Sequence, residues 1–276
     1  MPFNNYNYSY VCEAVDQYHF STFSWDRLGL GQSSHGEPVN DIQALLEVDA
    51  LRALTQKLRA GTIKGIKDKF QKIVHVGHSF GSDHSYALTA MYPTISDGIA
   101  LTGWSQNGTW VPYFALGSDF IEANSYPALS QYPVGYFAPA AATGVQIDFF
   151  APNQFDPALL AFAYKTGEPV TAGELLTIGG ETGSINKFAG PVLVITGERD
   201  IPFCGGNCLN PAPPAGFPNV VAASKTTLPN AKNFEAVIVP NAGHGLNLEY
   251  THPFTYKTIN EYFINNGVGP RGGRRQ

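Results

Sequence analysis

Short apolar runs alternate with stretches of helical periodicity along most of the chain. Four runs that are rich in β-branched residues predict buried strands over residues 73–76, 99–102, 191–196 and 234–239. A fifth run, over residues 20–25, also predicts a strand. Helical spacing predicts helices over residues 8–19, 42–58, 82–92 and 253–266. Strands that alternate with helices in this way predict an α/β fold with a mostly parallel sheet and flanking helices.

Two of these helices carry signals at their ends or on their faces. We expect Asn40 or Asp41 to cap the second helix, because a short polar side chain accepts hydrogen bonds from its free N–H groups. We expect Gly61 to end the same helix. In the last helix, four large residues are expected to face the core: Phe254, Ile259, Tyr262 and Phe263.

Residues 103–189 interrupt the α/β rhythm. Aromatic residues, proline and glycine dominate there, and strand-like alternation is missing. Such a stretch is typical of a cap or lid inserted over the carboxyl edge of the sheet, with aromatic side chains as an apolar pocket wall. The alternative is a set of irregular surface helices without contact to a substrate. We expect a core over 1–102 and 190–268, a cap over 103–189, and a disordered basic tail over 269–276.

Length and charge narrow the classes of function. A chain of 276 residues is long enough for one large domain or for a core with an inserted cap. Only 14% of the residues are charged and the formal net charge is −5, which gives no reason to expect nucleic acid or an anionic membrane as a partner. No apolar run approaches the ~20 residues that a transmembrane helix needs.

The state of the cysteines indicates whether the protein belongs to an oxidising or a reducing cellular compartment. Cys204 and Cys208 lie in a turn-rich segment, where they either close a small disulfide ring or remain free buried thiols. Cys12 is expected to be a buried helix residue, and no histidine pair accompanies the cysteines to complete a metal site. Asn7 and Asn107 begin glycosylation triplets, which favour a secreted origin, although the polar amino terminus does not resemble a signal peptide. The sequence leaves extracellular and cytoplasmic locations open.

The segment Gly77-His78-Ser79-Phe80-Gly81 stands directly behind the 73–76 strand and ahead of a helix. The pattern Gly-x-Ser-x-Gly in this context presents a nucleophilic serine on a tight strand-to-helix turn. Because the backbone of the serine is strained, we expect small residues at positions 77 and 81 to avoid clashes. An ordinary glycine-rich turn is the alternative reading.

Two further reactive side chains, Asp200 and His244, follow predicted strands later in the chain. The carboxyl ends of parallel strands share one edge of a sheet, so we expect these side chains to meet Ser79 there. In the order Ser, Asp, His they supply a nucleophile, an acid that orients the imidazole, and a base. A loop carboxylate and a surface histidine are the alternative. The remaining histidines are expected to be structural, and Asp26 is expected to organise a turn.

Four segments resemble the α/β-hydrolase superfamily, in particular fungal members of the AB hydrolase-1 type: GHSFG, PVLVITGERD, NAGHG and the stretch from Asp26 to Ser33. The resemblance implies an α/β-hydrolase fold with Ser79 as nucleophile, Asp200 as acid, His244 as base and the backbone N–H of Phe80 as an oxyanion donor. It implies no metal and no organic cofactor. A serine in the motif also argues against the haloalkane dehalogenase and epoxide hydrolase branches, which use aspartate there.

The chain departs from that family at its amino-terminal end. Members normally carry a β-hairpin and then a strand that ends in a loop of His-Gly type, which supplies a second oxyanion N–H. The resemblance therefore implies an N-terminally shortened core, with either a gap in the middle of the sheet, between the 20–25 and 73–76 strands, or direct pairing of these two strands. A start upstream of Met1, with a signal peptide, would account for the departure.

These features predict a serine hydrolase that cleaves a carboxylic ester, a lactone or another activated acyl group of a small apolar substrate through an acyl-enzyme on Ser79. One alternative is a lyase or a small-molecule receptor on the same fold. The other is an inactive, shortened homologue. The sequence does not indicate the oligomeric state or the identity of the substrate.

Overall fold

A parallel sheet of four strands lies at the centre of the protein. The computed structural model describes residues 8–211 and 216–270, so Asn7 and residues 271–276 of the expected tail lie outside the described part. The α-helices in chain order are α1 (Tyr10–Asp16), α2 (Ala44–Ala60), α3 (Phe80–Met91), α4 (Val111–Gly117), α5 (Ala142–Phe149), α6 (Pro157–Thr166), α7 (Ala172–Thr177), α8 (Val220–Ala223) and α9 (His252–Asn265). The strands are β1 (Val74–His78), β2 (Gly98–Thr102), β3 (Phe120–Glu122), β4 (Tyr136–Pro139), β5 (Val170–Thr171), β6 (Pro191–Gly197) and β7 (Lys232–Val239).

The central sheet has the order β1-β2-β6-β7, and each neighbouring pair is parallel. Its middle strands are buried on both faces, as expected for a parallel sheet between helices. On β6, Val192 and Val194 belong to a core cluster that reaches α3 and α8, whereas Leu193 and Ile195 belong to a cluster that reaches α9. Helices thus cover both faces, and the predicted α/β architecture is confirmed.

Residues 20–25 do not form a strand, so this part of the sequence prediction is wrong. A strand needs a partner for its backbone, and in the described residues β1 pairs with β2 alone and forms the edge of the sheet. A cavity of about 830 Å³ separates β1 from residues 19–25. Val76, in the middle of β1, is accordingly 40% exposed. Neither of the two outcomes considered for this region is found: residues 20–25 do not pair with β1, and the cavity lies at the edge of the sheet and not in its middle.

Of three sequence predictions for the ends and faces of the helices, one is confirmed and two are wrong. Helix α2 begins at Ala44 behind Gln43, which makes no side-chain cap, so neither Asn40 nor Asp41 is the cap. Gly61 ends the helix as predicted, in the left-handed conformation with φ 66°. Phe254, expected to face the core from α9, is 48% exposed, whereas Ile259 and Phe263 are buried. The helical repeat places Phe254 on the opposite side of α9 from these two residues.

The segment between β2 and β6 contains a small antiparallel sheet of its own, in the order β3-β4-β5. The segment thus contains strands although strand-like alternation is missing from its sequence. These strands have only three, four and two residues, which is too short for alternation to be recognised in the sequence. Helices α4 to α7 make up much of the remainder of the segment. No helix in the described stretches has the length and apolar character needed to cross a bilayer.

Candidate active site

Ser79 stands between β1 and α3 with φ 54° and ψ −119°, a conformation that non-glycine residues rarely adopt. Such a backbone costs ~1–3 kcal/mol and persists where the surrounding structure enforces it. The turn is tight, because a Cβ atom on Gly77 would lie only 2.1 Å from the carbonyl oxygen of Gly81. The predicted need for glycine therefore holds at position 77. It does not hold at Gly81, where an added Cβ would meet nothing within 4 Å.

Asp200 and His244 form a buried pair behind this turn. Asp200 follows β6, His244 follows β7, and their side chains are joined by a hydrogen bond of 2.7 Å between Asp200 Oδ2 and His244 Nδ1. Both residues are almost fully buried. The other carboxylate oxygen, Oδ1, accepts a hydrogen bond of 2.8 Å from the N–H of Phe203. With Nδ1–H directed at the aspartate, Nε2 is the nitrogen left to accept a proton.

The third expected member, Ser79, is not hydrogen-bonded to this pair. His78, its neighbour in sequence, has its ring 5.0 Å from the ring of His244. His244 Nε2 is buried and has no hydrogen-bond partner among the described residues, so it makes no hydrogen bond to the Ser79 hydroxyl. In enzymes without bound substrate, such bonds are often long and shorten only when the substrate is in place.

Aromatic rings surround the imidazole of His244. The rings of Phe114, Phe149 and Phe203 lie 6.1, 5.5 and 5.9 Å from it. The first two belong to the segment between β2 and β6, and Phe203 lies just before Cys204. Cys204 and Cys208 form a disulfide with their Cα atoms 4.8 Å apart, which closes the loop behind Asp200. An apolar wall of this kind excludes water from the base.

Phe80 is the first residue of α3, so its backbone N–H is one of the free donors that every helix start presents. Its ring lies between two basic side chains. The guanidinium carbon of Arg27 is 4.8 Å from the ring centre, and the ring of His84 is 4.2 Å away. Arg27 in turn donates hydrogen bonds of 2.9 and 2.7 Å to the carboxylates of Glu47 and Glu174.

The residues that sequence analysis assigned to structural roles have such contacts. His75 contacts Thr55 and Ser96 at 3.0 and 2.8 Å, and His78 contacts Thr102 at 3.0 Å. The side chain of Asp26 accepts a hydrogen bond of 3.0 Å from the N–H of Gln32, which closes the predicted turn. Cys12 is free and only half-buried. The described part of the chain contains no cluster of histidine, cysteine, aspartate and glutamate suited to hold a metal ion.

Comparison with known proteins identifies the fold. No family model matches the sequence, and no curated protein does either. A thermophilic esterase from Thermogutta terrifontis has a TM-score of 0.56 at 17% identity over 89% of this chain and 79% of its own. A monoacylglycerol lipase from Paleococcus ferrophilus has a TM-score of 0.56 at 13% identity over 88% and 82%. An α/β-hydrolase fold protein from Chitinophaga pinensis has a TM-score of 0.50 at 16% identity over 87% and 77%. The chain has the α/β-hydrolase fold.

One group near the site of this α/β-hydrolase fold was not foreseen. Glu47, Glu181 and His84 are buried together, with His84 Nε2 3.2 Å from Glu47 Oε2 and 3.7 Å from Glu181 Oε1. Burial, with the negative charges of Asp83 and Glu47, raises the pKa of Glu181 to about 10. Burial raises the pKa of Glu47 to about 8 and lowers that of His84 to about 3. No signal in the sequence marks this cluster, because its members come from three distant segments.

Proposed function

We propose that the protein is a serine hydrolase that cleaves a carboxylic ester, a lactone or a similarly activated acyl group. The observation that carries the proposal is the buried bond of 2.7 Å between Asp200 and His244, in a protein whose Ser79 has φ 54° directly after His78, the ring neighbour of His244. The esterase and the lipase with similar folds support hydrolysis as the class of reaction. The role of each residue in this chain is our own assignment.

In the proposed reaction, Ser79 attacks the acyl carbon while Nε2 of His244 accepts the hydroxyl proton. Asp200 holds the imidazole in the required tautomer and stabilises the imidazolium that forms. His244 then donates the proton to the departing alcohol, which leaves an acyl group on Ser79. Water, activated by the same imidazole, releases the acid and restores the enzyme. The backbone N–H of Phe80 binds the oxyanion, and a donor of this kind is typically worth about 3 kcal/mol in the transition state.

The substrate is proposed to be a small apolar ester, without a metal or an organic cofactor. Phe114 and Phe149 contact His244 and come from residues 103–189, which we propose to be the cap of the enzyme. An aromatic wall favours an apolar acyl or alcohol group and gives little binding energy to a charged one. We therefore expect esters of uncharged acids to be better substrates than esters of diacids.

A fluorophosphonate probe and p-nitrophenyl acetate test the proposal together. The wild-type protein should be labelled covalently, and Ser79→Ala should abolish both labelling and hydrolysis. Ser82→Ala is the matched control, because this serine on α3 donates to the carbonyl oxygen of Thr102 and has no proposed part in the chemistry. A wild-type protein without labelling, or labelling that survives Ser79→Ala, would refute the proposal.

A second candidate, binding of a small molecule without hydrolysis, is favoured by two observations. His244 Nε2 makes no hydrogen bond in the described part of the structure, and Phe80 supplies a single evident oxyanion donor. A receptor of this kind would show no burst of nitrophenol and no turnover. If the fluorophosphonate does not label the protein, isothermal titration calorimetry with an ester that is stable in solution decides the matter. Saturable binding would then favour this second function.

A further inference from the structure

Glu249 is a fully buried carboxylate that the reaction above does not use. It lies five residues after His244, in the irregular stretch that leads to α9. Within the described residues it forms no ion pair, so no cation offsets the cost of burying its charge. Burial raises the pKa of Glu249 to about 7, and hydrogen bonds from Ala151 and Gly243 act against this rise. The contacts that Glu249 makes indicate why this carboxylate is buried despite the free-energy cost.

Those contacts are two backbone N–H groups on different parts of the chain. Oε2 accepts a hydrogen bond of 2.7 Å from the N–H of Gly243, the residue directly before His244. Oε1 accepts one of 2.5 Å from the N–H of Ala151, which lies two residues after the aromatic neighbour Phe149. A carboxylate can accept both bonds at once and carries no hydrogen that would face either donor. One side chain thus joins the histidine loop to the segment that forms its aromatic wall.

The peptide on the other side of His244 is fixed independently. The N–H of Gly245 donates to the carbonyl oxygen of Phe149 at 2.6 Å. Gly243 also packs so closely on this segment that an added Cβ would lie 2.6 Å from the backbone nitrogen of Ala151. The backbone is therefore held on both sides of His244. The acceptor before His244 is the Glu249 side chain, and the acceptor after it is the backbone carbonyl of Phe149.

We propose that Glu249 is a positioning residue for His244, which through Gly243 and Ala151 fixes the backbone that directs Nε2 toward Ser79. This inference rests on the proposed function. Within the described residues Nε2 has no hydrogen-bond partner, so its direction is set by Asp200 on the other ring nitrogen and by the backbone. A displacement of about 1 Å at a reacting group can cost about 100-fold in rate.

The test compares Glu249→Gln with Glu122→Gln. Glutamine keeps the shape of the side chain, but its NH₂ group faces one of the two N–H donors, so one hydrogen bond is lost. Glu122, on β3, is the control, since its carboxylate also accepts a backbone hydrogen bond, of 2.9 Å from Gly135, and it has no proposed part in the chemistry. We expect kcat for p-nitrophenyl acetate to fall about 10- to 100-fold in Glu249→Gln with KM nearly unchanged. Glu122→Gln should retain both constants.

An NMR measurement that needs no activity accompanies the kinetics. The proton between His244 Nδ1 and Asp200 Oδ2 should give a low-field resonance, which Glu249→Gln should shift or broaden and Glu122→Gln should leave in place. Glu249→Asp, which keeps both acceptor oxygens on a shorter arm, should give an intermediate result. Unchanged kcat and resonance in Glu249→Gln, or loss of cooperative melting in both Glu249 variants, would overturn the positioning role.

The two proposals fail in different ways. If the wild-type protein hydrolyses no ester while Glu249→Gln still alters the low-field resonance, the proposed function is wrong and the positioning of His244 stands. If the wild-type protein hydrolyses esters and Glu249→Gln matches it in kcat and in the resonance, hydrolysis stands and Glu249 has no positioning role.

Discussion

A Cβ atom on Gly77 would lie 2.1 Å from the carbonyl oxygen of Gly81, so the two ends of the turn around Ser79 are in backbone contact. This contact leaves no room for any side chain at position 77. Gly81 itself faces open space and lies in helix α3. Two glycines that look equivalent in the sequence motif thus have different physical requirements.

The pair Gly77→Ala and Gly81→Ala tests this asymmetry. We expect Gly77→Ala to prevent folding or to lower the free energy of unfolding by several kcal/mol, because real Cβ atoms do not approach a carbonyl oxygen within 3 Å. Gly81→Ala should raise the free energy of unfolding by up to about 1 kcal/mol, since alanine loses less backbone entropy in a helix. Urea denaturation measures both. Equal effects of the two substitutions would show that the turn is not built as described.

The Asp200–His244 pair predicts a large effect on rate and a small one on binding. In Asp200→Asn the amide cannot hold the imidazole in the productive tautomer, and kcat for p-nitrophenyl acetate should fall about 10⁴-fold. KM should change little, because Asp200 is buried behind the histidine and does not face the substrate. Asp97→Asn is the control and should keep full activity, because Asp97 directly precedes β2 and accepts a hydrogen bond from Ile73 at the amino-terminal edge of the sheet, opposite to Asp200. A modest fall in Asp200→Asn would mean that another carboxylate orients His244.

The fold and the candidate reactive residues follow from local sequence, for a physical reason. Strands β1, β6 and β7 are apolar runs that are followed by chemistry-bearing residues, and parallel strands bring their carboxyl ends to one edge of the sheet whatever lies between them. Ser79, Asp200 and His244 could therefore be proposed one at a time. The requirement for glycine at position 77 was foreseen in the same way, because the motif fixes the turn.

Features that depend on distant partners could not be predicted from local sequence. Glu249 gains its role from Ala151, about a hundred residues earlier in the chain, and nothing in the sequence around either residue indicates the contact. The sequence around Glu47 and Glu181 likewise does not indicate that the two acids are buried together. Residues 20–25 have strand composition, but a strand forms only where a neighbouring backbone is within reach.

The buried acids predict that stability falls as the pH rises. The pKa of Glu181 is about 10 in the folded protein and 4.5 in the unfolded chain, so the folded state binds more protons between these values. Its contribution is therefore fully present below pH 4.5 and is lost progressively as the pH approaches 10. The groups that face it are Asp83, Glu47, Glu174, Arg27 and His84, and Glu47, with a pKa of about 8, acts in the same direction.

Glu181→Gln should accordingly flatten the dependence of stability on pH. The neutral amide cannot ionise, so the melting temperature of the variant should exceed that of the wild-type protein at pH 9 and differ little from it at pH 5. Differential scanning calorimetry across this range makes the measurement. Glu261→Gln, an exposed position on α9, is the control and should follow the wild-type curve. A wild-type melting temperature that rises from pH 5 to pH 9, with or without the variant following it, would contradict the expected sign.

The open edge of β1 predicts unequal costs for two equivalent truncations. Val194, in the middle of the sheet, is fully buried, and Val194→Ala should lower the free energy of unfolding by about 2–3 kcal/mol through lost apolar contact and the cavity left behind. Val76 faces the 830 Å³ cavity and is 40% exposed, so Val76→Ala should cost about 1 kcal/mol or less. Urea denaturation of both variants gives the comparison. Both changes remove the same two methyl groups from a parallel strand. Equal losses of unfolding free energy would therefore mean that Val76 is covered in solution. The edge of β1 would then have a partner that the described residues do not include.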